Sequence, residues 1–233
     1  MIRWEVPGPY EVAFTTRSGG VSEGPFASLN LTAGTGDVPQ KVEENRRRVC
    51  AEIGADSRRL ALNRHRHTSL VHRAWPGARR EPGDGLWSDD PGLPMLELAA
   101  DCVPIAIARQ NEGPGLALLH AGWRGLLDGI VEAGVRALGG GALAAAIGPA
   151  AGPCCYEVGP AVAAPFAARF GAQVVRRRML DLWASAERAL RAAGVERVER
   201  IDLCTVCDPE RFFSHRRSGR LRGAQGVVGV VTG

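Results

Sequence analysis

Three side chains in this sequence are of the types that bind a catalytic metal ion. His67 lies in the segment Arg66-His67-Thr68, Cys102 follows one apolar run, and His120 ends another. Two imidazoles and a thiolate suit Zn²⁺, and three protein ligands leave a fourth position for water or substrate. From spacing alone, however, a surface histidine, a small buried cysteine and a histidine in a turn are the favoured interpretation.

The segment around His67 contains two further histidines, His65 and His72. If this stretch is a strand, His65 and His67 lie on one face and His72 on the other, because successive side chains alternate between faces. All three histidines are candidates for the ligand. The shared face also makes His65 a candidate for a supporting hydrogen bond beside His67.

The segments that must position these residues alternate between strands and helices. Brief apolar runs bounded by Pro, Gly or polar residues predict strands over residues 11–15, 95–100, 103–108, 116–119 and 226–231. Apolar residues at helical spacing predict helices over residues 39–53, 126–138 and 181–193, with another after Glu157. Residues 76–85 and 139–141 are predicted loops, because glycine or proline punctuates them.

Length and pattern together predict the fold class. A chain of 233 residues with 45% hydrophobic content can bury a full core. No repeat, linker or boundary divides it, so we predict a single domain over residues 1–233. The irregular alternation of strands and helices predicts an α+β fold, with a mixed β-sheet core layered with helices.

Composition argues against several classes of partner. The balance of 29 basic and 25 acidic residues gives a net charge of +4, spread along the chain, which argues against nucleic acid. No stretch approaches the roughly 18 apolar residues of a membrane span, and the N-terminus has no apolar signal segment. We therefore expect a cytoplasmic location and no membrane contact. The six cysteines do not look like a disulfide framework in a chain of this length.

Several long segments of unusual composition resemble the laccase-domain family. They include His120-Ala121-Gly122-Trp123-Arg124-Gly125, Ala100-Asp101-Cys102-Val103-Pro104, Ser28-Leu29-Asn30-Leu31, residues 14–22 and residues 147–159. The resemblance runs from about Phe14 to Arg217. Members of this family were first called multicopper polyphenol oxidases and are now described as purine nucleoside phosphorylases.

The resemblance implies a catalytic Zn²⁺ held by His67, Cys102 and His120. These residues match the family's Gln-Val-His, Ala-Asp-Cys and His-Ala-Gly-Trp-Arg-Gly segments. The spacing to Val71 favours His67 as the ligand, and His65 stands where the family has glutamine. The implied reaction is phosphorolysis of adenosine, inosine and S-methyl-5′-thioadenosine to a free base and a sugar 1-phosphate, with adenosine deaminase activity as well. Purine nucleosides and phosphate are then the partners.

Substrate contacts are harder to assign from the sequence. Arg17 in a glycine-rich turn and Arg124 beside His120 could present planar donors to phosphate, and Asn30 could face the ligand or cap a turn. Two departures from the family put these contacts in question. Ala186 stands near an expected asparagine, and Leu221-Arg222-Gly223 replaces an expected Thr-Gly-Arg.

Three further patterns are weaker. Gly20-Val21-Ser22-Glu23-Gly24 matches a nucleophile elbow, but Pro25 follows and no helix begins there, so we interpret it as a turn. Cys204-Thr205-Val206-Cys207 has metal-binding spacing without an evident second pair, and Cys154-Cys155 falls in a Gly/Pro turn. We interpret both as structural.

Two other enzyme classes remain open. Copper in place of zinc would make the protein a polyphenol oxidase, although five histidines are few for that chemistry. Alternatively, Cys102 could act as the nucleophile of a metal-free hydrolase with His120 as its base. A binding module without activity is the remaining possibility, and metal content with a turnover assay separates these classes.

Overall fold

The strands pair into two six-stranded mixed sheets in the computed structural model, which describes the backbone of residues 1–233 and every side chain except that of Arg80. The first sheet has the spatial order β1 (Ile2–Trp4), β2 (Tyr10–Phe14), β14 (Gln225–Val231), β7 (Met95–Ala99), β3 (Ala61–Arg64) and β5 (Arg79–Pro82). The pairs up to β7 are antiparallel, and β3 is parallel to both of its neighbours.

The second sheet contains the strands that carry His120 and follow Cys102. Its order is β13 (Arg197–Arg200), β10 (Leu143–Ile147), β8 (Val103–Arg109), β9 (Leu116–Ala121), β6 (Gly85–Ser88) and β4 (Val71–Arg73). The central strands β10, β8, β9 and β6 are antiparallel, and both edge pairs are parallel. A separate two-stranded ribbon joins β11 (Val175–Arg176) and β12 (Met179–Leu180).

The two sheets pack face to face, and strand β9 shows how. Leu116 and Leu118 belong to the core that includes Phe14, Met95 and Val227 of the first sheet. Ala117, Leu119 and Ala121 alternate with them and belong to a second core on the opposite face of the sheet. Because side chains of a strand alternate between faces, His120 points to the same side as Leu118, between the sheets.

Helices cover the outer face of each sheet. Helix α1 (Pro39–Glu52) packs Val49 and Cys50 against the first sheet. The second sheet is covered by α2 (Trp123–Asp128), α3 (Ile130–Ala137), α4 (Pro160–Phe170) and α5 (Leu182–Ala192). A short helix, α6 (His215–Ser218), precedes β14. The predicted α+β fold, with mixed sheets layered with helices, is confirmed, and the core contains two stacked sheets where one was predicted.

Three local predictions are wrong. The helix predicted over residues 126–138 is two helices, because Gly129 has a φ of 87° and breaks the α-helical path. The loop predicted over residues 76–85 contains β5, which pairs with β3. The strand assumed for His65 and His67 is a loop between β3 and β4, so face alternation does not apply to them. In the described part of the chain, no helix is long and apolar enough to cross a membrane.

Candidate metal centre

His67, Cys102 and His120 meet at one end of the space between the sheets. Their potential ligand atoms all lie within 4.8 Å of one another. His67 lies in the loop after β3, Cys102 in the connection between β7 and β8, and His120 near the end of β9. The structure thus brings together the three predicted ligands from separate segments of both sheets.

Asp84, buried just before β6, organises two of these ligands. Its Oδ1 accepts hydrogen bonds from the backbone N–H of His67 at 3.0 Å and from Nδ1 of His120 at 2.8 Å. Its Oδ2 accepts from the backbone N–H and the hydroxyl of Thr68 at 2.8 and 2.9 Å. With Nδ1 of His120 engaged as a donor, Nε2 presents its lone pair to the site. Sequence reasoning missed Asp84, and its position between Gly83 and Gly85 was the only local signal.

The ionisation of Asp84 follows from these hydrogen bonds. Burial alone would raise the pKa of its carboxyl group. The hydrogen bonds from His120 and from the backbone of Thr68 and His67 outweigh burial and hold the pKa well below its usual range. A permanent carboxylate therefore lies behind the imidazole of His120.

The backbone near the ligands adopts strained conformations. His67 has a φ of 58°, and Asp101, which precedes Cys102, has a φ of 90°. Residues other than glycine rarely adopt these backbone conformations. A Cβ on Gly122 would lie 2.9 Å from Cδ2 of His67 and 3.2 Å from Sγ of Cys102. Close approach of these two ligands therefore requires glycine at position 122.

Burial determines the protonation states of Cys102 and His120 when no metal ion is bound. Burial raises the pKa of the Cys102 thiol to about 12 and lowers that of His120 to about 3. A neutral imidazole is ready to bind a metal, whereas the thiol ionises only with a positive charge beside it. Two imidazole nitrogens and one sulfur at this spacing form a donor set that fits Zn²⁺.

His65 and His72 have different surroundings from His67. The His65 ring stacks on that of His120, with centroids 4.1 Å apart, and its Nε2 is 2.5 Å from Oε2 of the fully buried Glu97. This arrangement fits the supporting role predicted for His65. His72 lies in β4, and its Nε2 is 3.0 Å from the carbonyl oxygen of Pro82.

A cavity of about 510 Å³ opens over the three ligands. Its wall carries positive charge from Arg124, Arg216 and Arg222, and aromatic surface from Trp123 and Tyr156. Two polar atoms of lining residues, Nε of Arg222 and Oγ1 of Thr35, are buried without a hydrogen-bond partner among the described residues. Unpaired buried polar groups are rare, so these atoms indicate a place for a polar ligand.

The predicted substrate contacts separate in the structure. Arg124 lines the cavity, with its guanidinium 4.1 Å from the ring centroid of Trp123. Arg17 borders a different recess, where it donates to the carbonyl oxygens of Ala27 and Pro209, both at 2.8 Å.

Asn30 is fully buried and does not line the cavity. Its amide donates to Asp37 at 2.8 Å, and its carbonyl oxygen accepts from the backbone of Thr32 and Ala224. Of the three predicted contacts, the structure therefore places only Arg124 at the candidate site. Arg216, Arg222 and Tyr156 were missed as cavity residues.

The two departures from the family pattern have different consequences. Ala186 is fully buried in the core beneath α5, and the residue of that helix that lines the cavity is Leu182. Arg222, in the altered Leu221-Arg222-Gly223 segment, lies directly at the cavity. Burial lowers the pKa of its guanidinium. Arg222 therefore supplies a cation to the candidate site.

The weaker patterns also have clear outcomes. Ser22 donates to Oδ2 of Asp37 at 2.6 Å, and a 3₁₀ turn over Gly24–Phe26 follows where an elbow would need a helix. The structural interpretation as a turn fits these contacts. By contrast, Cys204 and Cys207 do have a second pair, because the chain brings Cys154 and Cys155 next to them.

Solved structures define the class of fold to which this two-sheet arrangement belongs. YlmD from Geobacillus stearothermophilus superimposes with a TM-score of 0.90 and 30% identity, over 98% of this chain and 94% of that one. Protein YfiH from Bacillus licheniformis matches with a TM-score of 0.90 and 28% identity, over 96% and 93%.

The chain belongs to the family described as multi-copper polyphenol oxidoreductase laccase, whose model matches residues 11–231. A relative named purine nucleoside phosphorylase in Pseudomonas aeruginosa is 40% identical, over 93% of this chain and 92% of its own length. Purine nucleoside phosphorylase YfiH of Escherichia coli is 33% identical, over 94% of both chains.

Proposed function

We propose that the protein is a zinc-dependent purine nucleoside phosphorylase whose metal is held by His67, Cys102 and His120. The proposal rests on the cavity, which is lined both by these three ligands and by Arg216 and Arg222. The names of the relatives, at 33% and 40% identity over most of the chain, support a phosphorylase of this kind.

The metal and its supports form one end of the site. A zinc ion bound there would supply a Lewis acid that polarises a substrate oxygen or activates water. His120 is oriented by Asp84, and His67 is placed by the same carboxylate through its backbone N–H. The hydrogen bond to Asp84 holds the strained backbone of His67. Asp101 accepts from the hydroxyl of Thr205 and the backbone N–H of Arg216. The ligands are therefore positioned before substrate enters.

Phosphate fits the basic wall of the cavity. Arginine presents planar pairs of N–H donors to phosphate oxygens, and Nε of Arg222 has no hydrogen-bond partner among the residues whose side chains are described. In phosphorolysis, a phosphate oxygen forms a bond to C1′ of the ribose while the bond from C1′ to the purine nitrogen breaks. The electron pair leaves with the base, which takes up a proton. Arg216 and Arg222 would hold the attacking phosphate close to C1′.

The purine and sugar fit the remaining wall. Trp123 and Tyr156 offer aromatic faces on which a base can stack. The cavity volume lies in the range of about 300–1,000 Å³ that small-molecule sites occupy. We propose adenosine, inosine and S-methyl-5′-thioadenosine as substrates and adenosine deamination as a second activity at the same zinc site.

Product identity tests the reaction. Purified protein is incubated with inosine, with and without phosphate, and the products are separated by chromatography and phosphorus NMR. We expect hypoxanthine and ribose 1-phosphate only when phosphate is present. Hypoxanthine formed at the same rate without phosphate, with free ribose as the second product, would identify a hydrolase and refute the proposal.

Metal analysis of the same preparation separates the other enzyme classes. We expect the purified protein to contain zinc. Cys102→Ala should remove the zinc from this site and abolish both nucleoside activities, because the two remaining ligands hold the metal only weakly. Copper together with phenol oxidation would support the oxidase. Metal-free protein that still releases hypoxanthine would support a hydrolase with Cys102 as nucleophile.

The role of Arg222 is tested against Arg17 as a matched control. Arg222→Ala should raise the KM for phosphate about tenfold to a hundredfold, the range expected for loss of hydrogen bonds to a charged group. Arg17→Ala removes an arginine outside the cavity and should lower the melting temperature while leaving that KM unchanged. If Arg17→Ala raises the KM and Arg222→Ala does not, phosphate binds in the other recess.

A further inference from the structure

Four cysteines outside the candidate metal centre converge in space. Cys154 and Cys155 lie in the turn after β10, and Cys204 and Cys207 lie in the turn after β13. The four sulfur atoms lie within 4.8 Å of one another. We propose that these four residues, the four-cysteine cluster, bind a second zinc ion through four thiolates and that this ion has a structural role.

The spacing of the sulfur atoms fits a tetrahedral thiolate site. Sγ of Cys207 is 3.4 Å from that of Cys154 and 3.2 Å from that of Cys155. With zinc–sulfur bonds of about 2.3 Å, the corners of a tetrahedron are roughly 3.8 Å apart. The two separations from Cys207 are somewhat shorter than this value, and all four sulfur atoms lie within 4.8 Å of one another. Small rotations of the side chains are therefore enough to complete the coordination.

The backbone holds the two turns together independently of any metal. Ala150 pairs with Cys204 in an isolated bridge, and the N–H of Thr205 donates to the carbonyl of Ala150 at 3.0 Å. The N–H of Gly152 points at Sγ of Cys204 at 3.3 Å. A backbone N–H directed at sulfur stabilises the thiolate form that binds metals. The cluster is therefore pre-organised rather than a chance contact of mobile side chains.

The arrangement favours a metal over a disulfide. Cys207 is about equally close to Cys154 and Cys155, so no single partner is selected. Cys204-Thr205-Val206-Cys207 has the two-residue spacing typical of zinc-binding cysteine pairs. Four cysteines complete the coordination sphere without an open position, which is typical of structural zinc.

A zinc ion here would stabilise one wall of the cavity. Tyr156, which follows Cys155, lines the cavity. Thr205, between the other two cysteines, donates from its hydroxyl to Oδ1 of Asp101 at 2.7 Å, and Asp101 precedes Cys102. Arg217 donates to the carbonyl of Thr205 at 2.7 Å. The four-cysteine cluster thus fixes two turns that position the neighbours of the catalytic centre.

Metal counting on the full chain, purified under reducing conditions with zinc, tests the proposal. Wild-type protein should contain about two zinc ions per chain, and Cys102→Ala and Cys207→Ser about one each. Cys50→Ala is the matched control, because Cys50 is a free cysteine buried in α1. It should keep the wild-type zinc content.

X-ray absorption at the zinc edge of Cys102→Ala identifies the ligands, and this variant leaves all four cysteines intact. We expect only sulfur neighbours, at about 2.3 Å. Nitrogen or oxygen neighbours, or Cys102→Ala protein without zinc, would overturn the proposal. So would two missing thiols when protein purified with zinc but without a reductant is unfolded and titrated, because that result shows a disulfide. The test does not depend on nucleoside turnover, so it can fail while the proposed function stands.

Discussion

Asp84 shows how one buried carboxylate can determine the geometry of a candidate metal site. It accepts hydrogen bonds from the imidazole of His120 and from the backbone of residues 66–68. It therefore fixes both the tautomer of one ligand and the loop of another. None of these contacts is local in sequence, which explains why the ligands could be predicted from the family pattern and Asp84 could not.

The first prediction concerns this carboxylate. Asp84→Asn keeps the size of the side chain but replaces one acceptor oxygen with an amide NH₂ group. This donor would face N–H groups that are also donors, so at least one hydrogen bond of Asp84 is lost. We expect zinc affinity to fall about 10- to 100-fold, as for other residues that support metal ligands. Competition with a colorimetric chelator measures the affinity.

Asp128→Asn is the control for the change in charge, because Asp128 is exposed at the end of α2. It should leave zinc affinity unchanged. Equal affinity in wild type and Asp84→Asn would show that the hydrogen bonds of Asp84 do not orient the ligands.

The second prediction concerns Gly122. In Gly122→Ala the new methyl group would press on His67 and Cys102, at 2.9 and 3.2 Å. The ligands must move apart, so we expect loss of zinc from this site with little change in secondary structure. Metal analysis and circular dichroism measure the two effects. Gly34→Ala is the control and should keep its zinc, because the nearest atom lies 3.9 Å from the new Cβ. Full zinc retention in Gly122→Ala would contradict the steric argument.

At the scale of elements, the sequence patterns predicted five of the fourteen strands of the described backbone and most of the helices, because apolar periodicity records which face of an element is buried. The predicted strands at 103–108 and 116–119 correspond to β8 and β9. β5 was missed because its residues Arg79–Pro82 are mostly polar or charged and pair only at a sheet edge. The break at Gly129 was missed because the apolar stripe continues across it.

The third prediction tests that break. Gly129 has a φ of 87°, and its added Cβ would meet Oε2 of Glu132 at 3.3 Å. Gly129→Ala should therefore lower the free energy of unfolding by about 1–2 kcal/mol, the cost of a left-handed conformation in other residues. Denaturant titration measures the change. A variant as stable as wild type would indicate that α2 and α3 can join in a different geometry.

At the scale of the molecule, the core between the sheets supports the site. Phe14 of β2 is fully buried in that core, with residues of both sheets. Its ring also occupies the space beside Gly148, where a Cβ would lie 2.2 Å from Cδ1 of Phe14. The relative position of the sheets depends on such contacts. His67 and Cys102 follow strands of the first sheet, whereas His120 lies in β9 of the second.

The fourth prediction is that Phe14→Ala lowers the free energy of unfolding by about 3–5 kcal/mol, as for other buried phenylalanines. Trp75→Ala is the control, because the side chain of Trp75 is 60% exposed. Its effect should be below about 1 kcal/mol. Denaturant unfolding followed by circular dichroism gives both values, and equal losses in the two variants would show that the inter-sheet core does not dominate stability.

The position of β14 has a consequence for biosynthesis. This last strand lies between β2 and β7 and forms hydrogen bonds with both. The first sheet is therefore incomplete until residues 225–231 have left the ribosome, although His67, Cys102 and His120 emerge much earlier. A chain stalled before residue 225 would therefore expose the Cys102 thiol and the imidazoles of His67 and His120 without the completed sheet beside them.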